Sequence, residues 1–338
     1  MNTATQNTFQ KRPRLLLIIG YGLATICLVW VLHDFHIVRE FRNLAHVSWP
    51  WVLLGMACDV VSYGIQALRW KFLLAPFGKV RLSRSIRAVF GGLFANLVFP
   101  LRPGEVLRSY LLANSEEISI GRTLGAVGVE RFVDLVIATA SLAMVSLYIN
   151  LPRPDQRIAD LLAYITLFLL LLVGLLILYI EIRLTRNRPV DGKKAHLPGK
   201  FMMVLTDLHA IGTSPSFYLA VLTSLLIPFC QVLGLWAVMR AYGLQLSFLG
   251  AIVVLLIINL GVSLPNAPAN VGSYQFFCVL GLSIFNVEKD SATGFSFFAF
   301  LALTIPLAFL GFVALLRSGM SFGAMREKVR GLPSHPRV

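Results

Sequence analysis

Charged residues are scarce in this chain. They make up 14% of its 338 residues, against about 25% in a soluble domain. With 57% of the residues hydrophobic, one water-soluble core cannot hide the apolar surface, so lipid must serve as solvent. Acids are scarcer than bases, 16 against 30, and the formal net charge is +14. In a soluble protein that balance would suggest nucleic acid. Here the basic residues sit in loops between apolar runs, which fits topology and anionic lipid headgroups and excludes nucleic acid as the expected partner. Cysteine is limited to Cys27, Cys58, Cys230 and Cys278, all inside apolar segments and none in a C-x-x-C pair. They read as small buried hydrophobes, not as a disulfide framework. A P-loop, a histidine cluster with metal-ligand spacing and a Ser-His-Asp grouping are missing, so an ATP-driven pump is not expected and no metal, cofactor or catalytic set is assigned. His33 and His36 lack a third ligand and read as interfacial residues.

What the chain has is long apolar runs. Spans are expected at about 14–32, 49–68, 122–149, 159–182, 217–241 and 292–316, most of them close to the ~20 residues a crossing helix needs. The first follows Lys11, Arg12 and Arg14 in the manner of a signal peptide. Bulky Trp30-Val31-Leu32-His33 stands where small cleavage residues would be, so it is read as a retained span. The positive-inside rule places those three bases in the cytoplasm. It places there too the loop carrying Arg69, Lys71, Lys79, Arg81, Arg84 and Arg87, the loop carrying Arg186, Arg188, Lys193, Lys194 and Lys200, and the tail with Arg317, Arg326, Lys328 and Arg330. The expectation is a multi-pass protein of the cell inner (cytoplasmic) membrane with both termini cytoplasmic.

Charge also decides how 86–116 is threaded. If Ile86 to Leu101 crossed alone, the basic loop at 183–200 would end outside. The conflict disappears if 86–101 and 104–116 enter from the cytoplasm and return to it, turning at Pro100, Pro103 and Gly104. The same accounting makes 248–287 begin and end outside. Two short apolar arms, Phe248 to Leu264 and Tyr274 to Asn286, flank the breaker-rich run Pro265-Asn266-Ala267-Pro268-Ala269-Asn270-Val271-Gly272-Ser273. The predicted fold is therefore an all-α integral membrane protein. It is a polytopic helical bundle in which two oppositely oriented broken, re-entrant hairpins form an inverted repeat. Residues 1–338 make a single transmembrane domain, with a first half about 49–149 and a second half about 217–316 joined by a basic cytoplasmic loop about 183–216. Paired interrupted segments in inverted halves point to a transporter's binding site; two unrelated Pro-rich loops are the plainer alternative.

Three stretches resemble signatures of the lysylphosphatidylglycerol synthase transmembrane-region family, also called flippase-like domain or UPF0104 proteins. They are Phe99-Pro100-Leu101-Arg102-Pro103-Gly104-Glu105-Val106-Leu107-Arg108, then Val129-Glu130-Arg131-Phe132-Val133-Asp134-Leu135, and then Leu264-Pro265 with Asn270-Val271-Gly272. In that family the third signature often ends Gly-x-x-Glu, whereas Gln275 stands here. The resemblance implies a membrane region that moves lipids or lipid-linked groups between leaflets. Some members carry a soluble aminoacyl-transferring domain after it, for which this chain, ending shortly after its last span, leaves no room.

Glu130, Arg131 and Asp134 fall two to three turns inside the span that starts near Arg122. Glu130 and Asp134 are i,i+4, and Arg131 is within pairing distance of Asp134 along the helix. Charges at that depth face a polar cavity or one another. The first hairpin brings Arg102, Glu105 and Arg108 from the same side, so these six residues are expected to meet. They either neutralise one another as a structural knot or present arginine forks to a lipid phosphate, helped by free N–H groups near Gly104. Asn266 and Asn270 would line the second break, with Asp59, Gly272 and Gln275 as further candidates. Asp59 is expected to pair with one of the arginines. Trp49, Trp51, Trp70 and Trp236 read as interfacial anchors.

The leading functional expectation is a lipid translocase moving an anionic or polyprenyl-phosphate-type lipid between leaflets. A membrane-embedded headgroup transferase using Glu105, Glu130 or Asp134 as a base is the alternative. A non-catalytic membrane partner is the third. The expected partners are membrane lipids, with a homo-oligomer or a separate enzyme as further associations.

Overall fold

The computed structural model describes residues 3–33, 35–36, 46–100, 102–148, 164, 207, 209–263 and 267–318. Among them there is no strand. Nine α-helices follow in order: α1 Thr3–Leu32, α2 Trp49–Leu74, α3 Leu82–Val98, α4 Gly104–Glu116, α5 Ile120–Tyr148, α6 Pro215–Tyr242, α7 Phe248–Val262, α8 Ser273–Ser283 and α9 Lys289–Arg317. All but residue 164 of the span expected at 159–182, most of the basic loop and Asn266 lie outside the described residues.

Among the described residues, three stretches are long and apolar enough to cross a membrane: Trp49–Phe77, Pro215–Tyr242 and Lys289–Arg317. Ile18–Leu32 and Phe248–Val262 are shorter apolar helices. Leu222, Phe229, Leu301, Ile305 and Phe309 stand exposed on α6 and α9. Such contiguous apolar surface has no place in water.

The second helix runs six residues past its expected end at 68, because Phe72, Leu73 and Leu74 continue the apolar helix beyond Arg69 and Trp70. Arg69 and Trp70 are therefore buried helix residues, not members of a loop, and Trp70 is not an interfacial anchor. Trp49 and Trp51 are exposed.

The most extensive packing is α2 against α6. Gly55 and Gly234 face each other there, and a side chain at either would meet the other's carbonyl oxygen. Close backbone approach of this kind is how helices associate in lipid, where dispersion contact replaces the hydrophobic effect. Each short helix pair then lies against the last helix of the other half, α3 on α9 and α7 on α5.

The first break is written in its sequence. Pro100 forces Phe99 out of the helical region into φ −108°, ψ 141°, Arg102 turns through the left-handed region at φ 52°, and α4 restarts at Gly104. The Gly104 N–H donates to Asn96 Oδ1 at 2.7 Å. A methyl at Gly104 would run into the Gly92 carbonyl oxygen, so only glycine allows α3 and α4 to close. The pair returns to its starting end, where Arg81 N donates to Glu116 Oε1 at 2.8 Å and Arg84 pairs with the same carboxylate. Arg87, on the same turn region, reaches the Arg317 carbonyl at the end of α9.

The second pair is built alike. Ser247 caps α7 by accepting from the Gly250 N–H, and Gly250 sits beside Phe285, just past α8. Ala269 and Asn270 take left-handed conformations in the break and Gly272 has φ 89°. Gly272 also presses on the Ala24 backbone of α1, with no room for a side chain. The opposite end of the molecule from Arg317 is marked by Lys289 donating to the His33 carbonyl, His36 meeting Asp290 at 2.9 Å, and Ser48 N donating to the Ala241 carbonyl.

Candidate functional site

A chamber of about 320 Å³ opens between α2, α3, α4, α5, α6 and α7, at the lower end of the ~300–1,000 Å³ usual for ligand sites. One part of its wall is charged, with Arg69, Arg102, Glu105, Arg108, Arg131 and Asp134. The other is apolar, with Ile137, Ile227, Ile252, Leu255 and Leu256.

Glu130 anchors the charged part from behind the wall. It is buried and accepts from Gln66 Nε2 at 2.9 Å, Trp70 Nε1 at 2.5 Å, Arg69 Nη2 at 2.5 Å, and both terminal nitrogens of Arg108 at 3.2 and 2.8 Å. The Arg108 guanidinium lies over the Trp70 ring, 4.6 Å from its centre, in cation–π geometry. Arg69 also pairs with Asp134 at 2.5 Å and donates to Ser224 Oγ at 3.2 Å. The spacing Gln66, Arg69, Trp70 puts all three on one face of α2, and that face meets α5. Arg131, half-exposed, pairs with Glu105 and stands 3.8 Å from Asp134.

Of the six charged residues expected to meet, five are thus tied into one ion-pair network. Arg102 lines the same chamber but takes a different partner. It donates from Nη1 to the Val262 carbonyl at 2.7 Å, linking the first break to the end of α7 at the second. The network has a sixth member, Arg69, which the sequence alone places in a loop. The continuing apolar run Phe72-Leu73-Leu74 is the signal that places it inside the helix. The Gly104 N–H is not free for a ligand, because Asn96 holds it.

The candidates of the second break stand apart from the chamber. Gln275 is buried and its Oε1 accepts from the Gly272 N–H at 2.7 Å. It closes the first turn of α8. Neither it, Gly272 nor Asn270 lines the chamber. Asp59, half-buried on α2, does not line it either and makes no ion pair among the described residues, so the expected pairing with an arginine is not found. No cluster of metal-ligating side chains occurs among the described residues.

The sequence profile of the lysylphosphatidylglycerol synthase TM region matches residues 17–311, which takes in the whole network and both breaks. The chain belongs to this family. Among relatives within it, a UPF0104 membrane protein of Methanothermobacter thermautotrophicus is 23% identical over 249 residues, covering 70% of this chain and 74% of its own. The UPF0104 membrane protein MJ1595 of Methanocaldococcus jannaschii is 23% identical over 328 residues, covering 90% of this chain and 94% of its own. A second from that organism, MJ1078, is 26% identical over 205 residues, covering 59% and 83%. In this member of the lysylphosphatidylglycerol synthase transmembrane-region family, Glu105 and Arg108 of α4 and Glu130, Arg131 and Asp134 of α5 join Arg69 of α2 in one ion-pair network, and Gln275 caps the helix that follows the second break.

Proposed function

We propose that the chain is a lipid translocase of the inner membrane. It receives an anionic or polyprenyl-phosphate headgroup in the charged part of the chamber and passes it between leaflets while the chains stay against apolar wall or lipid. The observation that carries this reading is the chamber itself, in which guanidinium groups and an apolar wall share one cavity between the first break and the end of α7. A headgroup crossing hydrocarbon alone must shed its water, which costs several kcal/mol or more for an ion. The Arg102 and Arg108 guanidinium groups on its wall replace that water.

The helix packing supports a transporter in particular. Exchanging α2, α3, α4, α5 for α6, α7, α8, α9 maps each major packing partner onto another, with Gly55 against Gly234 at the centre. That is the relation expected of an inverted repeat with two re-entrant pairs opening toward opposite leaflets. The basic end bearing Arg84, Arg87, Arg122 and Arg317 is then cytoplasmic. The membrane-embedded transferase is the less favoured reading, because Glu105, Glu130 and Asp134 are each engaged by arginine, which leaves none of the three unpaired to act on a substrate.

The test is reconstitution. Liposomes containing the purified chain and a fluorescent anionic lipid should lose fluorescence to an external quencher from both leaflets. Empty liposomes should lose only the outer half. Equal quenching in the two preparations would reject the reading.

A further inference from the structure

We propose that Arg102 is the residue that contacts the headgroup and that it selects a phosphate carrying one negative charge, a diester. This rests on the translocase reading of the same chamber and adds to it the charge class of the substrate and the residue that reads it.

The four arginines around the chamber are not equivalent. Arg69 is paired with Glu130 and Asp134, Arg108 forks onto Glu130, and Arg131 is paired with Glu105 and stands near Asp134. Arg102 makes no ion pair among the described residues. Its Nη1 donates to the Val262 carbonyl, and its Nε is buried without an acceptor. Four arginines against Glu105, Glu130 and Asp134 leave one positive charge, and the pairing assigns that charge to Arg102. Asp59 is not on the chamber wall and does not cancel it.

Two further observations point to a ligand. The Nε groups of Arg69 and Arg108 are also buried without acceptors, so three N–H donors from residues of one chamber lack partners. Native proteins rarely leave such groups unmet, and two non-ester phosphate oxygens are the acceptors that guanidinium forks match. Arg102 is also held at φ 52°, a backbone region that residues other than glycine seldom occupy and that concentrates at functional sites. That turn carries its side chain toward α7.

Charge balance sets the class. A diester monoanion brings the chamber to neutrality. A monoester, whose second pKa is about 6, arrives as a dianion and leaves a surplus negative charge in a medium where unbalanced charge is costly. A zwitterion brings its own cation with the phosphate and leaves the chamber's net positive charge in place. Binding also draws Arg102 from the Val262 carbonyl, so the second break senses occupancy of the first.

The experiment is lipid binding by the purified full chain in detergent, read by native mass spectrometry with equal concentrations of three probes of identical chains: phosphatidylmethanol, phosphatidic acid and phosphatidylcholine, at pH about 8.5. The methyl ester of a polyprenyl phosphate is a fourth probe, and its binding relative to phosphatidylmethanol tells a prenol source from a glyceride one. Phosphatidylmethanol or its prenyl counterpart should be favoured over the other two by roughly tenfold, about 1.4 kcal/mol. Arg102→Gln should lose the preference over phosphatidylcholine while its melting temperature stays within a few degrees of wild type. Should Arg102→Gln fail to fold, Arg102→Lys takes its place, keeping the preference for the anion with weaker binding because the two-point fork is gone. Phosphatidic acid bound best, or a folded Arg102→Gln that keeps the diester preference, overturns this inference and leaves the translocase standing. No lipid bound by wild type, with no leaflet exchange, defeats both.

Discussion

Arg69 and Glu130 meet at 2.5 Å with side-chain exposures of 2% and 0%, a buried ion pair between α2 and α5. Its removal is more costly than its presence is stabilising. Breaking a buried pair leaves a charge uncompensated at a cost of about 3–5 kcal/mol. Arg69→Gln is therefore expected to lower the unfolding temperature in detergent sharply, and Arg69→Lys to fall between, since an ammonium cannot reach Glu130 and Asp134 with the same fork. An Arg69→Gln protein as stable as wild type would contradict the structural role assigned here.

Gly104 and Gly64 make a contrasting pair. A methyl at Gly104 collides with the Gly92 carbonyl and the Asn96 side chain, whereas a methyl at Gly64 meets nothing within 4 Å. Gly104→Ala should destabilise the protein and loosen the α3–α4 pair. Gly64→Ala should be neutral or stabilising by up to roughly 1 kcal/mol, through helix propensity alone. Thermal unfolding of both variants, monitored by intrinsic fluorescence, checks the sign of each.

Gln275 caps a helix and does not touch the chamber. Gln275→Ala leaves the buried Gly272 N–H without its acceptor, costing about 1–3 kcal/mol of stability. Leaflet exchange by the folded fraction should remain near the wild-type rate. Arg108→Ala, which removes a chamber wall residue and half the support of Glu130, should lower both. Equal loss of exchange per folded molecule in the two variants would show that the second break belongs to the site.

Much of this was legible in the sequence, and the reasons are local. Pro100, Pro103 and Gly104 stop and restart a helix wherever they occur, so the first pair is found within a few residues of its expected bounds. Glu130, Arg131 and Asp134 announce themselves because charge inside an apolar run needs a partner. What could not be read was which partner each would take. Arg69 lies at the point where an apolar run meets a basic loop, and only the α2–α5 packing turns it inward. Arg102 lies three residues from Glu105 in the sequence, yet the left-handed turn at its own position sends it to the Val262 carbonyl. The Gly104 N–H reads as a free anion donor until Asn96, two turns earlier, is brought beneath it.

The translocase reading expects Ser83 and residue 193 on the cytoplasmic face and Lys289 and residue 154 on the outer one. Single cysteines at these positions, in a background without the native four, can be tested in intact cells with an impermeant thiol reagent. Ser83→Cys and Lys193→Cys should be protected and Lys289→Cys and Pro154→Cys labelled. Labelling of Lys193→Cys from outside would break the re-entrant threading of 86–116.

The most direct measurement follows leaflet exchange and lipid mass in one sample of liposomes carrying the purified chain and a labelled anionic lipid. Transport without chemistry predicts faster exchange than in empty liposomes, with the mass of every recovered lipid unchanged. A mass change that requires Glu130 or Asp134 and occurs without exchange would contradict the translocase and make the chain an enzyme.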